Sequence, residues 1–255
     1  MKELNHKELF DALVSEAESA SFSGWSFDYL TKTYRMVNGQ LPWSYASEVL
    51  PRMRKVSSML DIGTGGGEML ALLAPFPKKT YATENYKPNV GIAKKRLEPL
   101  GVKVYGVERN DELPFRDSEF ELVINRHASY SDKEVYRILK HGGVFVNQQI
   151  GAYYDIGINR FLGAKIKHSI RYVKNYAKLA EEAGFDVIAK KEGYPRDRFY
   201  DIGAIIYYLK AIPWQLEGFE VEKYKKRLYA LHEKIMEKGY MDFRGHNFLI
   251  VARKP

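Results

Sequence analysis

Asp61-Ile62-Gly63-Thr64-Gly65-Gly66-Gly67-Glu68 is the stretch of this 255-residue chain whose residue types and spacing bear most directly on chemistry. An apolar run ends in an acid, four glycines follow within five positions, and a fresh apolar pattern begins. Glycines packed this tightly let a backbone come close to a ligand. Two phosphate-binding spacings do not fit. A dinucleotide fingerprint, G-x-G-x-x-G/A, ends on a small residue where this chain has Glu68, and no Lys-Ser or Lys-Thr pair of a phosphate loop follows the glycines. Asp61 and Glu68 flank the turn and would repel a pyrophosphate, whereas a cationic group would be welcomed.

Such a turn works only if regular elements hold it. Apolar runs and helical patterns alternate, the signature of a mostly parallel sheet. Strands are expected near 57–62, 79–84, 102–107, 120–125, 143–149, 185–191 and 246–253, with short helices at about 67–74, 87–98 and 131–140. Further helices are expected near 4–19, 27–36, 173–183, 200–211 and 220–238, and Pro42, Pro51, Pro195 and Pro213 are read as boundary markers. The fold class is therefore α/β: a doubly wound, mostly parallel seven-stranded sheet with helical additions at the N-terminus and near 195–240. Residues 1–54 are read as a helical cap of the same domain, and 55–255 as the main domain. In this architecture ligands sit beyond the carboxyl ends of the strands, beside the point where strand order reverses, and the glycine turn after the first strand is placed there.

The bulk composition bounds the rest. With 45% hydrophobic and 28% charged residues, the chain can bury roughly 70–75% of its unfolded surface. The absence of cysteine excludes disulfides, thiolate metal sites and cysteine nucleophiles, and no metal site is expected. No stretch reaches the ~20 apolar residues of a membrane span and the N-terminus lacks a secretory apolar core, so a cytoplasmic protein with no membrane partner is the expectation. The net charge of +8 is spread along the chain. Its densest runs, Lys165 to Arg171 and Lys223 to Arg227, read as solvated faces more readily than as a nucleic-acid footprint.

With the elements placed, Asp61-Ile-Gly63-Thr64-Gly65-Gly-Gly67 resembles the [DE]-x-G-x-G-x-G motif of class I S-adenosylmethionine-dependent methyltransferases, and the central motifs resemble the broad methyltransferase type 11 branch that includes quinone-biosynthesis methylases. The resemblance covers about residues 55–150. It implies a Rossmann-like methyltransferase fold with S-adenosyl-L-methionine as cofactor. In the family the glycine turn approaches the methionine part and the acid helps hold its ammonium, which makes Asp61, Gly63, Thr64, Gly65 and Gly67 cofactor-binding candidates. Glu84 ends the second strand, where an acid can accept hydrogen bonds from both ribose hydroxyls. Asn85 and Tyr86 follow where family members often border the adenine. Residues 108–127 resemble the family's third-strand loop and fourth strand. Asn110 or Asp111 would there meet the adenine amino group, although Arg109 stands where the family usually has an acid. Asn125, ending the fourth strand, is the remaining cofactor candidate. Leu139-Lys-His141-Gly-Gly143 resembles the L-K-P-G-G turn before the fifth strand and speaks for fold, not chemistry.

The methyl acceptor is harder to read. The N-P-P-Y-like turn of exocyclic-amine methylases is replaced here by Asn125-Arg-His127-Ala-Ser-Tyr130. His127 is the best-placed general base, with a polar lining group as the equal alternative, and Tyr130 would help hold substrate. Tyrosines and other aromatics at 29, 34, 43 and 45, the segment 151–168 and the segment 200–214 are either core or a substrate lid. A methyltransferase acting on an oxygen, nitrogen or activated carbon of a small molecule leads. An rRNA or tRNA base methyltransferase is the alternative, and a non-catalytic cofactor-binding module or a nicotinamide oxidoreductase comes third.

Overall fold

The computed structural model describes residues 4–22, 27–166 and 169–255. Lys167 and His168, which belong to the expected basic run and to the 151–168 segment, lie outside the described residues. In chain order the first half holds α1 (His6–Ser19), α2 (Asp28–Thr31), β1 (Met36–Val37), α3 (Tyr45–Met53), β2 (Ser58–Ile62), α4 (Glu68–Ala71), β3 (Lys79–Glu84), α5 (Lys87–Leu97), β4 (Val102–Gly106) and β5 (Phe120–Arg126). The second half holds α6 (Asp132–Ile138), β6 (Leu139–Ile150), α7 (Ile156–Leu162), α8 (Val173–Glu182), β7 (Asp186–Gly193), β8 (Arg196–Phe199), α9 (Ile202–Ala211), α10 (Val221–Lys238), β9 (Met241–Arg244) and β10 (Asn247–Arg253). They form two compact units: a sheet unit of Leu41–Ala152, Ile170–Gly193 and Asn247–Pro255, and a helical unit of Met1–Gln40, Tyr153–Ser169 and Tyr194–His246.

The sheet unit carries seven strands in the order β4-β3-β2-β5-β6-β10-β7. β2 pairs in parallel with β3 and β5, β3 with β4 and β5 with β6, while β10 runs antiparallel between β6 and β7. The chain leaves β2 toward β3 and β4, then returns to place β5 on the other side of β2. That is the reversal of strand order where such sheets open a crevice. All five residues of β2 are buried, as expected of a strand covered on both faces. One apolar layer joins Met59, Leu122, Ile124, Val146 and Leu249 to Tyr45, Val49 and Met53, which lie four apart along one stripe of α3. The opposite layer joins Leu60, Ile62, Val123, Phe145 and Ile250 to α6 and α8 through Val135, Ile138, Ala177 and Ala180.

The helical unit has its own core, in which α9 is buried at every position except Lys210 and packs with Phe10 and Ala17 of α1, Ile158 and Leu162 of α7, and Leu228, Leu231 and Ile235 of α10. Asn5 and Glu8 close a capping box at the start of α1, and Lys210 Nζ donates to the carbonyls of Ala17 and Glu18 at its end. Arg35 grips both carboxylate oxygens of Asp201 at 2.7 and 2.6 Å. A three-stranded antiparallel sheet, β1-β8-β9, completes this unit.

Several boundaries differ from the expectations. In place of a helix at 27–36 stand the four-residue α2 and then β1, because Tyr34 adopts φ +57° and breaks the right-handed progression. Pro51 is not a boundary; it sits inside α3, in the last turn, where the missing N–H removes one internal bond and the helix ends two residues later. The 151–168 segment contains α7, and the strands β8 and β9 flank the helices expected near 195–240. β6 begins at Leu139, earlier than expected: Phe120 pairs with Leu139 and Leu122 with Val144, so the Lys140–Gly143 turn bulges out of the ladder.

Candidate active site

At the carboxyl end of β2 the chain turns through Gly63, Gly65 and Gly67, at φ +70°, +64° and +81°. A Cβ on Gly63 would lie 2.2 Å from the Ala128 Cβ, so both the conformation and the crowding demand glycine. The turn is tied to its neighbours: the Thr64 N–H donates to the Thr83 carbonyl at 2.9 Å, and the Gly67 N–H to the Thr64 carbonyl at 3.0 Å. The Gly65 N–H donates to Glu84 Oε2 at 2.6 Å, and the Tyr86 N–H to Glu84 Oε1 at 2.7 Å. A carboxylate has about four lone-pair sites, so acceptor capacity remains for a ligand.

Both acids at this edge are buried, Asp61 at 7% exposure and Glu84 at 3%. Burial pushes Asp61 up to about 7, with the charge of Glu84 adding to it and Arg126 opposing it. Glu84 is also raised by burial, against the hydrogen bonds from the Tyr86, Gly65 and Asn85 backbone. Two carboxyl groups held out of water beside each other make a site that gains from a cation or from hydroxyl donors.

Beyond β5 and β6 the edge is lined by neutral amides. Asn125 is fully buried; its Nδ2 donates to the Ile62 carbonyl at 3.3 Å, and its oxygen accepts from Gln149 Nε2 at 2.9 Å. Gln149 Nε2 also lies 2.9 Å from the Ala128 carbonyl and 2.8 Å from Asn147 Oδ1, and Asn147 donates to the Tyr130 hydroxyl oxygen at 2.8 Å. Burial raises the Tyr130 pKa strongly, and nearby Asp132 adds to the shift, so Tyr130 stays a phenol. His127 takes φ +67°, unusual for a residue with a side chain, and its N–H donates to the Gln148 carbonyl at 2.8 Å. Desolvation lowers its pKa, and the positive Arg126 acts in the same direction. The residue is nonetheless exposed, so water offsets much of the desolvation and only the downward direction stands.

With this geometry in place, residues 60–147 match the family model described as "Methyltransferase domain". That segment, about a third of the chain, carries the likeness to a methyltransferase domain. A 63-residue segment is 41% identical to the protein-L-isoaspartate O-methyltransferase of Alcanivorax borkumensis, covering 24% of this chain and only 29% of that protein's length. Among solved structures, a putative methyltransferase from Bacillus halodurans superposes with a TM-score of 0.61 at 22% identity, over 84% of this chain and all of that one. The [4+2]-cyclase SpnF superposes at 0.54 and 13% identity, over 100% of this chain and 98% of its own. At such identities the likeness concerns the fold alone, and a fold of this kind carries more than one chemistry.

Within the sheet unit, the sequence candidates fall into two groups. Asp61, Gly63, Thr64, Gly65, Gly67 and Glu84 come together at the carboxyl ends of β2 and β3. Asn110 is buried with them in the sheet unit, its Nδ2 donating to the Ser129 carbonyl at 3.0 Å and its Oδ1 without a partner. Asp111, by contrast, is exposed and held by the Arg109 guanidinium, at 2.7 Å from Nε. Asn85 is exposed, and Asn125 has both ends of its amide engaged inside the protein. Of the aromatics at 29, 34, 43 and 45, Tyr29 and Tyr34 belong to the helical unit and Trp43 and Tyr45 to the sheet unit. The residues present fit S-adenosylmethionine: two buried acids suit its ammonium and ribose, and the unpaired Asn110 amide oxygen suits an amino group. Asn89 of α5 was not foreseen. It is 1% exposed with both amide atoms unpartnered, and an asparagine near a helix start reads from sequence as ordinary loop chemistry.

Proposed function

We propose that the protein transfers a methyl group from S-adenosylmethionine to an oxygen, nitrogen or activated carbon of a small molecule. The observation that carries this reading is the pair of buried acids, Asp61 and Glu84, on either side of a glycine turn at the reversal point of the sheet. Bound there, the cofactor supplies a sulfonium-activated methyl group. Asp61 would hold the ammonium, the free lone pairs of Glu84 the ribose hydroxyls, and the Asn110 oxygen the adenine amino group. Tyr130, held in place by Asn147, would orient the acceptor, and alignment of the reacting atoms supplies the acceleration.

A small acceptor is favoured over RNA because two arginines near the turn are matched within the protein. Arg96 pairs with Glu68 and the Gly66 carbonyl, and Arg109 with Asp111. These two arginines are thereby spent on the protein's own carboxylates rather than on phosphates. Titration calorimetry of the purified protein is expected to give S-adenosylmethionine and its demethylated product preference over NAD and ATP; micromolar NAD binding with none for S-adenosylmethionine would end the reading. Binding to single-stranded RNA should be weak. A steep salt dependence, with a log-log slope of about −0.7 per phosphate contact, together with sequence selectivity would shift the acceptor to nucleic acid.

A further inference from the structure

The indole of Trp43 and the imidazole of His127 are joined through one side chain. Trp43 Nε1 lies 2.9 Å from Gln148 Oε1, and Gln148 Nε2 lies 3.2 Å from His127 Nε2. Trp43 is seated against a residue with no side chain, since a Cβ on Gly193 would come within 2.8 Å of Pro42 Cδ and 3.0 Å of Trp43 Cζ3. Gln148 is 3% exposed and fixed in β6.

An indole nitrogen can only donate. The Gln148 atom facing it must therefore be the amide oxygen, because the flipped amide would set two N–H groups against each other. Its NH2 is then committed to His127, and NH2 can only donate. His127 Nε2 must in turn present a lone pair, which leaves the ring proton on Nδ1. Among the described residues no protein group pairs with Nδ1. The charge acting on the ring is that of Arg126, which opposes protonation; Trp43 and Gln148, on the other side, are neutral.

We propose that Trp43 and Gln148 are positioning residues that hold His127 as the Nδ1–H tautomer, so that it offers the acceptor side of the pocket a hydrogen-bond donor and no free lone pair. The group His127 meets is then an oxygen or nitrogen lone pair, as in a carbonyl, carboxylate or phenolate, and proton abstraction falls to water. This use of the ring rests on the methyltransferase reading; the tautomer itself does not.

Long-range proton–nitrogen correlation spectra of the full-length, nitrogen-15-labelled protein test it, with His127 signals assigned by their loss in His127→Asn. The expected result is a neutral ring in a single tautomer, recorded above its titration midpoint, whose non-protonated nitrogen is Nε2. A proton on Nε2, or a mixture of tautomers, would overturn the proposal, and the parent protein alone decides this. In Trp43→Phe the amide is free to turn, and a mixture should appear. In Gln148→Glu the new carboxylate accepts from both rings, so Nε2 should gain a proton and the titration should move up by more than one pH unit; an unchanged tautomer in that variant counts against the proposal. Spectra recorded with S-adenosylhomocysteine separate the two readings. A chain that ignores this compound yet keeps the Nδ1–H tautomer contradicts the cofactor reading only.

Discussion

Asp61 and Glu84 are the residues on which the proposed cofactor binding turns, and each makes its own prediction. In the free protein Asp61 titrates at about 7 because it is buried. Its folded value is raised, so the stability it contributes is full below its unfolded value and is lost as pH rises through about 7. A ligand ammonium favours the charged form. Affinity for S-adenosylmethionine should therefore climb by up to about tenfold per pH unit from pH 5 to 7 and level off above, and Asp61→Asn should flatten the profile in calorimetry. Glu84→Ala should cost on the order of 1–3 kcal/mol of affinity through lost charge-assisted bonds. Glu84→Gln is no gentle control, because its NH2 would face a backbone N–H from Gly65 or Tyr86. The two acids and the glycines were legible in the sequence because their spacing is local. The Trp43–Gln148 contact was not: the partners lie 105 positions apart, and neither residue type signals the other. The engagement of both ends of the Asn125 amide was likewise not legible, since its partners, the Ile62 carbonyl and Gln149, lie on other strands.

At the level of elements, the turn between β2 and α4 tolerates no side chain at Gly63, whereas the bulge in β6 does at Gly142. Both have positive φ, but nothing lies within 4 Å of a Cβ at Gly142. Gly142→Ala should cost only the left-handed strain of about 1–2 kcal/mol, while Gly63→Ala should lose more stability and most cofactor affinity, as read by thermal melts and calorimetry. Equal losses in both variants would mean that contact with Ala128 is unimportant. The strands of the seven-stranded sheet were readable because buried parallel strands are plain apolar runs. β8 was not readable because its inward positions are Asp197 and Phe199: a carboxylate on the buried face erases the alternation that marks a strand. α3 was missed because Pro51 looks like a stop signal, yet it falls where only one internal bond is lost.

For the molecule as a whole, each unit has a core of its own, and the two should answer to different variables. In the helical unit Asp155 and Asp197 are 0% and 1% exposed. Tyr208 donates to Asp155 at 2.7 Å, and the Gly39 N–H donates to Asp197 at 3.0 Å. Burial raises the pKa of both, and the charge of Asp197 pushes Asp155 further, so the pair holds a proton well above the ordinary carboxyl range. A raised acid contributes stability that is present at low pH and lost as pH rises through its folded value. Tm should therefore fall on the alkaline side, and Asp155→Asn should remove most of that fall. S-adenosylhomocysteine at 100 times its Kd should add about 2.7 kcal/mol by binding the sheet unit, and this gain should survive in Asp155→Asn. The division into units could not be read along the chain, because each is gathered from three separate segments.

The near-contact between Gly63 and Ala128 has a thermodynamic meaning of its own. It sets the loop that would cradle the cofactor against the loop that leads to His127 and Tyr130. If an acceptor presses residue 128 toward the turn, Gly63 is the group it meets, and whatever one ligand does to the other's affinity is returned in equal measure. Cofactor and acceptor should thus bind as reciprocal partners, and the size of the side chain at position 128 should set how strongly each feels the other.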